Sequence, residues 1–598
     1  MDTITVIDFG GQYTHLIAER LRDRGFYAVV APPGTPLEQL SYSRGIILSG
    51  GPKSVYDDGA PRCDPGIFQG DIPVLGICYG AQLMAHCMGG KVQPGETREY
   101  GKNSLLRQPD GSALFDGLDE AEPVWMSHGD CITDAGPAFD IIGTSASGII
   151  AAIRARGREV YGVQFHPEVK HTPRGLDVLE NFAGKICGSR KEWTGGSDIE
   201  DAVGYIRETV GNSSVGAMTS FGVDSSVAAK LTSMSYGDKA LILYVSGLDR
   251  KGDPQRAERL AGRMDLHNFH IVDAEDRFIG SLSGITDPQA QRNVIGNLYV
   301  ELFDDYVEGM GWDKDKTFFV QGTLYTDRVE SGEGVGSLAA NIKTHHNVGA
   351  SLIMEKKQKG LIVEPNKWKY KDGARKRARA LGLPDEIVNA QPFPGPGLAL
   401  RMINEVGIPE DVAGIYGRAN GIVSRYGLNG YVFPIRTVGV IGDQRAYMNL
   451  LLTEGNPDFQ DRAAAATEVV NRVRGIGRVA YSFSRGLDQA AFLGTKPLAF
   501  DKKNLRLLRE IDDSVNEAAR GYGLMGKISQ MPVILFPGPG KPWVGIRPVG
   551  TEDYMTAAPV EFPARLAGEL TEKLMGSYDL GGVAFDDTSK PPATIEWK

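Results

Sequence analysis

The chain has 598 residues, 41% hydrophobic and 23% charged, with a net charge of -10 at pH 7. That length exceeds what one hydrophobic core organises and predicts roughly three to five domains. No run reaches the roughly 18 apolar residues that span a bilayer, and the acidic balance argues against general nucleic-acid affinity, which needs basic surface to release counterions. Five cysteines (Cys63, Cys78, Cys87, Cys131, Cys187) all lie in the first third, odd in number and without CxxC spacing, so neither zinc nor a disulfide framework is expected. The first residues enter a strand pattern with no basic, apolar, small-residue leader, and the expected compartment is the cytoplasm.

In chain order, Ile4–Gly11 reads as an opening strand and Ile46-Ile-Leu-Ser-Gly-Gly-Pro52 as a strand running into a glycine turn. Pro73-Val-Leu-Gly-Ile-Cys-Tyr-Gly-Ala-Gln82 is a short buried-strand pattern meeting a helix start, which lifts Cys78 out of the sheet edge and aims helix N–H groups at its sulfur. Taken alone, such a cysteine is more often one more small buried hydrophobe. Val124-Trp-Met-Ser-His-Gly-Asp130 and Gln164-Phe-His-Pro-Glu168 follow, the latter offering His166 as base and Glu168 as its orienter. With these segments, residues 1–188 resemble a class I glutamine amidotransferase domain, which releases ammonia from glutamine. The resemblance implies Cys78 as nucleophile with His166 and Glu168 completing a triad. It also implies the N–H groups of Gly51 and Tyr79 as oxyanion hole, and Gln82 and Asp130 near the glutamine.

A Gly/Ser-rich linker between Ile186 and Asp198 leads to a second unit, expected over 198–397. Val215–Thr219 reads as a strand, Ser220-Phe-Gly-Val-Asp-Ser-Ser226 as a loop, Val227–Met234 as a helix and Ala240–Val245 as the next strand. A loop of this kind presents successive N–H groups to a phosphate, although a plain βα turn fits the same pattern. It resembles the pyrophosphate loop of N-type ATP pyrophosphatases, in which Ser-Gly-Gly-x-Asp-Ser is usual. Phe221 replaces the first glycine, and a phenylalanine there is expected both to strain the backbone and to occupy phosphate space. The resemblance implies ATP contacts from Ser220, Gly222, Val223, Asp224, Ser225 and Ser226, with Mg2+ held at Asp224. Gln321-Gly-Thr-Leu-Tyr325, Ile342-Lys-Thr-His-His-Asn347 and Gln391-Pro-Phe-Pro-Gly-Pro-Gly-Leu398 are similar to the GMP synthetase family. By that similarity Lys343 neutralises phosphate charge on a lid with His345 and His346, while Asp327 and Glu330 either order the loop, hold magnesium or are solvated. Departures fall at Tyr244-Val-Ser-Gly-Leu-Asp-Arg-Lys-Gly252, at Asp287–Asn293, which keeps the single cation Arg292, and at Tyr370-Lys-Asp-Gly-Ala-Arg375.

The last third reads as two α+β repeats, 398–500 and 501–598. Val432–Gly439 echoes Val544–Gly550, and Gly477–Ser482 echoes Gly582–Asp587; Asp461–Arg474 and Asn504–Arg520 read as helices. In GMP synthetases this region pairs subunits and its tail binds xanthosine 5'-monophosphate (XMP). The resemblance implies Arg436, Gln530, Lys590, Thr594, Ile595 and Glu596 as XMP contacts, and two copies in one chain point to a monomer ahead of a homodimer. The expected fold class is therefore α/β: a class I glutaminase domain, a Rossmann-like ATP pyrophosphatase domain with a parallel sheet, and the two repeats. The implied reaction is glutamine-dependent amination of XMP to GMP through an adenylyl intermediate. Two alternatives stay open: a relative acting on another purine nucleotide, and a nucleotide-binding protein whose ATP loop Phe221 has disabled.

Overall fold

The computed structural model describes all residues except 12, 109–111, 326, 328–350, 442–443, 485, 552–556 and 591, and except the side chains of 95–98, 100, 440–441 and 444–445. The chain divides into two compact units. One joins Met1–Glu208 with Gly322–Asn341 and Glu364–Gly382, and the other holds Thr209–Gln321, Ile342–Val363 and Leu383–Lys598.

The first unit is built on nine strands: β1 Thr3–Ile7, β2 Tyr27–Ala31, β3 Ser43–Leu48, β4 Val74–Ile77, β5 Lys91–Arg107, β6 Ala121–Asp134, β7 Phe139–Ser145, β8 Ile150–Ala155 and β9 Val160–Val163. Their order is β2-β1-β3-β4-β9-β8-β7-β5-β6. The run from β2 to β9 is parallel, and β1, β4 and β9 are buried along their whole length, as apolar strands covered on both faces must be. The remaining pairs are antiparallel, and β6 alternates buried and exposed residues over its first half. Lys371–Ala380, expected from sequence in the second domain, is a helix within this first unit. Its neighbours show why. Asp198 binds Arg377 and Lys369 at 2.6 and 2.8 Å, and Lys170 meets Asp372 at 3.0 Å. The Tyr370 N–H donates to buried Glu19 at 3.2 Å, and His15 stacks on Trp368 with centroids 4.0 Å apart.

The second unit begins with a wholly parallel sheet, β10 Val215–Met218, β11 Ala240–Ser246, β12 Phe269–Asp273, β13 Phe318–Val320 and β14 Ile362–Val363, in the order β12-β11-β10-β13-β14. Helices Val223–Tyr236, Asp253–Arg263 and Pro288–Gly309 make connections between its strands. A further sheet comprises β15 Leu428–Ile441, β16 Gln444–Gly455, β17 Ile476–Ser482, β18 Val533–Phe536, β19 Trp543–Ile546 and β22 Gly582–Asp586, while β20 Val549–Gly550 and β21 Ala558–Pro559 form a separate ladder. The order β15-β16-β17-β22-β19-β18 places two like halves about the antiparallel β17–β22 pair. Each half has an antiparallel hairpin followed by a parallel strand. The echo of Gly477–Ser482 with Gly582–Asp587 matches β17 to β22. The other echo is out of step by one strand, because Val432–Gly439 lies in β15, the first strand of its half, whereas Val544–Ile546 lies in β19, the second. One apolar cluster, including Phe278, Ile295, Leu398, Leu508, Leu535 and Phe585, runs through this unit without a break at residue 397. No helix among the described residues is long and apolar enough to cross a membrane.

Candidate active site

Cys78 caps the helix Tyr79–Cys87 immediately after β4 and carries φ 51° and ψ -108°, a left-handed backbone that non-glycine residues avoid. Close packing forces this turn. A Cβ on Gly80 would strike the Leu48 carbonyl, and one on Gly76 would come within 2.7 Å of the Ala81 nitrogen, so helix and sheet meet backbone to backbone. Tyr79 opens the helix, and its N–H belongs to the first turn, which has no intrahelical acceptor. A Cβ on Gly51 would lie 3.2 Å from the Tyr79 ring, which places the Gly50–Gly51 turn against the elbow.

His166 and Glu168 are both buried, and His166 Nδ1 lies 2.6 Å from Glu168 Oε1. Burial works against a charged imidazole. The Glu168 carboxylate and the contact with the Cys78 thiol outweigh it and hold His166 well above its ordinary pKa. The Thr172 hydroxyl donates to the His166 carbonyl at 2.7 Å, the His166 N–H donates to the Trp125 carbonyl at 3.0 Å, and the Tyr13 ring meets the imidazole edge-on at 5.4 Å. Cys78, Glu168 and His166 are thus brought together from the ends of β4 and β9. Gln82 Nε2 donates to the Asp130 carbonyl at 2.8 Å, so the two residues expected near glutamine are also neighbours.

Sequence reasoning assigned no role to two further groups. Gln164 Nε2 lies 3.7 Å from Cys78 Sγ, and Gln164 also accepts from Gln82 at 3.3 Å. His128 bridges the Asp130 carbonyl at 3.0 Å and Glu99 at 3.2 Å, and Glu99 in turn accepts from Ser145 at 2.9 Å. Burial lowers the His128 pKa despite Glu99. Both histidine and glutamine stood inside segments singled out from sequence, whereas Glu99 carried no local signal.

In the second unit the stretch read as a loop over Ser220–Ser226 is shorter, because the helix already begins at Val223. Asp224, Ser225 and Ser226 therefore lie in the first helical turn, where a carboxylate complements the helix dipole. The loop is internally braced: Ser225 Oγ accepts the Ser220 N–H at 3.2 Å, Thr219 Oγ1 accepts the Phe221 N–H at 3.1 Å and Ser220 Oγ accepts the Gly222 N–H at 3.4 Å. Phe221 does carry the expected strain, at φ 54°, which costs about 1–2 kcal/mol. Its ring departs from expectation, being 1% exposed and packed against Tyr244 and Phe269 instead of standing open on the loop.

The C-terminal tail is tied down by charge. Asp586 Oδ2 receives Arg478 at 2.6 Å, Arg547 at 2.8 Å and the Trp597 indole N–H at 2.8 Å, all in a fully buried position. Arg478 also donates to the carbonyls of Val438 and Thr594, and the Thr594 hydroxyl donates to the Val438 carbonyl at 2.9 Å. Glu596 pairs with Arg401 at 3.2 Å, and Ile595 packs with Val549 and Ala557. Lys590 pairs its backbone with Ala557, and Gln530 donates to the Pro392 carbonyl at 3.3 Å. Arg436 is exposed beside Gly407. Asp327 accepts the Leu324 N–H at 2.9 Å. Lys343, His345, His346 and Glu330 lie outside the described residues. Among the described residues no cluster of three or more His, Cys, Asp or Glu is arranged to hold a metal ion.

Residues 5–186 match the family described as glutamine amidotransferase class-I, and residues 541–597 match the GMP synthase C terminal domain. Over its whole length the chain is 34% identical to a GMP synthase [glutamine-hydrolyzing] of Streptomyces coelicolor, spanning 98% of that relative. It is 40% identical to the protein of that name from Carboxydothermus hydrogenoformans over 80% of this chain and 97% of the relative. With the one from Alkaliphilus metalliredigens the identity is 41% over 81% of this chain and 98% of the relative.

Proposed function

The chain belongs to the glutamine-hydrolysing GMP synthase family, and from that premise we propose that it converts XMP to GMP with nitrogen from glutamine and energy from ATP. The observation that carries the reading is the Cys78 elbow facing a His166–Glu168 pair 2.6 Å apart, in a chain alignable end to end with a family member. Cys78 Sγ attacks the carboxamide carbon of glutamine, and the N–H groups of Gly51 and Tyr79 receive the oxyanion. His166, oriented by Glu168, takes the thiol proton and passes it to the departing ammonia; water then cleaves the thioester to give glutamate. Gln82 and Asp130 seat the glutamine.

In the second unit O2 of XMP attacks the α-phosphorus of ATP, pyrophosphate leaves, and ammonia displaces AMP from the adenylyl ester to give GMP. The N-terminal turn at Ser220, Gly222, Val223, Asp224, Ser225 and Ser226 holds the pyrophosphate, since helix N–H groups and the dipole favour anions there. A magnesium ion accompanying ATP needs only one or two protein carboxylates, and Asp224 fits that need; the ion supplies neutralisation of phosphate charge. Lys343 adds a cation to the same phosphates. Arg436, Gln530, Lys590, Thr594, Ile595 and Glu596 bind XMP. The chain works in the cytoplasm as a monomer, with the β17–β22 pair satisfying within one chain the interface that separate copies would otherwise share; sedimentation of a dimer would overturn this.

The test is formation of AMP and GMP from XMP, ATP and magnesium with either glutamine or ammonium. Product with both nitrogen donors is expected. Product with neither would sink the reading, and glutamine hydrolysis without AMP would restrict it to the first unit.

A further inference from the structure

The Phe221 ring joins two turns that the sequence leaves far apart. Its centroid lies 6.0 Å from that of Tyr244, in β11, and 5.8 Å from that of Phe269, the first residue of β12. The Tyr244 hydroxyl donates to Asp249 Oδ2 at 3.0 Å, and Asp249 Oδ1 accepts the Gly247 N–H at 3.1 Å and faces Arg509 at 3.4 Å. A continuous path of contacts therefore runs from the turn after β10 to the turn after β11. These are neighbouring carboxyl ends of a parallel sheet, the place where open α/β sheets bind ligands. Two departures noted in the sequence, at Phe221 and at Tyr244–Gly252, thus meet in space.

We propose that Phe221 is a positioning residue for ATP: its buried ring, packed on Tyr244, anchors the Ser220–Gly222 turn in the left-handed form that receives the pyrophosphate. The inference rests on the assignment of that turn to ATP made above. A glycine would reach the same backbone angles but would have to be ordered each time phosphate arrives. The anchored ring leaves the turn ordered beforehand, and preorganisation of this kind appears as affinity. Because the ring is turned into the protein, it does not stand on the exposed side of the turn.

Initial rates of AMP release from XMP, magnesium and ammonium, measured against ATP concentration, test this in the full chain. Phe221→Gly is expected to raise KM for ATP by about tenfold or more while kcat changes by less than about threefold, and Phe221→Leu to fall between it and the parent. Tyr244→Leu should raise the same KM, and Phe221→Gly with Tyr244→Leu should be no worse than the poorer single variant, since both break one contact. An unchanged or lower KM in Phe221→Gly overturns the anchor, and effects that multiply independently overturn its route through Tyr244. Thermal unfolding of each variant identifies any that fail to fold, and Phe221→Leu then carries the test. If the parent releases no AMP, the assignment of catalysis fails separately; calorimetric titration of magnesium-ATP into parent and Phe221→Gly then reads the anchor directly, with equal affinity or no binding in either overturning it.

Discussion

Cys78 keeps its backbone in a left-handed turn because Gly76 and Gly80 allow β4 and the following helix to meet without a spacer. A serine tolerates that turn as cysteine does but is a far weaker nucleophile without a matched base. Cys78→Ser is expected to lower glutamine-dependent GMP formation by about a thousandfold or more and to leave the ammonium-dependent rate within about twofold of the parent. A parallel loss with ammonium would mean that the substitution damages more than the thiol. Glu19 gives a different kind of prediction. It is 2% exposed, and burial pushes its carboxyl up to about 7 although Lys369 and the Tyr370 N–H pull it down. A group that holds its proton more tightly when folded than unfolded penalises folding as pH rises. The penalty is absent below the unfolded value of 4.5, grows between 4.5 and about 7 and is constant above, on the order of 3 kcal/mol. Glu19→Gln should therefore raise the thermal midpoint at pH 8 and change it little at pH 4.5; equal shifts at both pH values would refute the account.

The helices and strands that present the site were largely legible because their signals are local. A Val-Leu-Gly-Ile run before Cys-Tyr-Gly describes β4 and its turn without reference to anything distant, and Gln-Phe-His-Pro-Glu marks the segment that follows β9, although β9 itself was not read from the sequence. Contacts made across the sheet were not legible. Glu99 reaches His128 only through the antiparallel register of β5 and β6, which pairs the two residues directly. The start of the helix at Val223 was hidden by a Ser-rich stretch that reads equally as loop. The misaligned repeat echo arose from matching two arginine-containing segments by identity, where strand order decides the correspondence. In the element pair β17–β22, Arg478 and Asp586 occupy a fully buried position with Arg547. Removing the acid from such a cluster leaves two uncompensated guanidinium groups and costs about 3–5 kcal/mol. Asp586→Asn is expected to lower the denaturation midpoint accordingly and to shift Trp597 emission toward longer wavelength, because the neutral amide no longer balances the two guanidinium groups and the loosened tail lets water reach the indole; an unshifted spectrum at native stability would show the tail to be held by other bonds.

At the scale of the whole molecule, each compact unit is discontinuous in sequence or built from more than one predicted domain. Residues 364–382 fold with the first unit because Asp198, Glu19 and His15 offer buried partners to Lys369, Arg377, Tyr370 and Trp368. Residues 383–598 share a core with the parallel sheet. Neither arrangement follows from hydrophobic periodicity, which reports which face of an element is buried but not against what.

The two halves of the six-stranded sheet are alike in strand order, yet only the second ends in the tail Thr588–Lys598. After β17 the first half turns into the short helix Gln489–Leu493 and gives its Arg478 to holding its sibling's tail. On the XMP assignment proposed above, the first half contributes Arg436 to the ligand and otherwise serves as a scaffold for the tail. A symmetric pair of chains would carry two equivalent tails that can sense each other's occupancy, whereas this chain carries one. Saturation by XMP is accordingly expected to be hyperbolic, with a Hill coefficient of about 1, and a sigmoidal curve would require a second copy of the chain to take part.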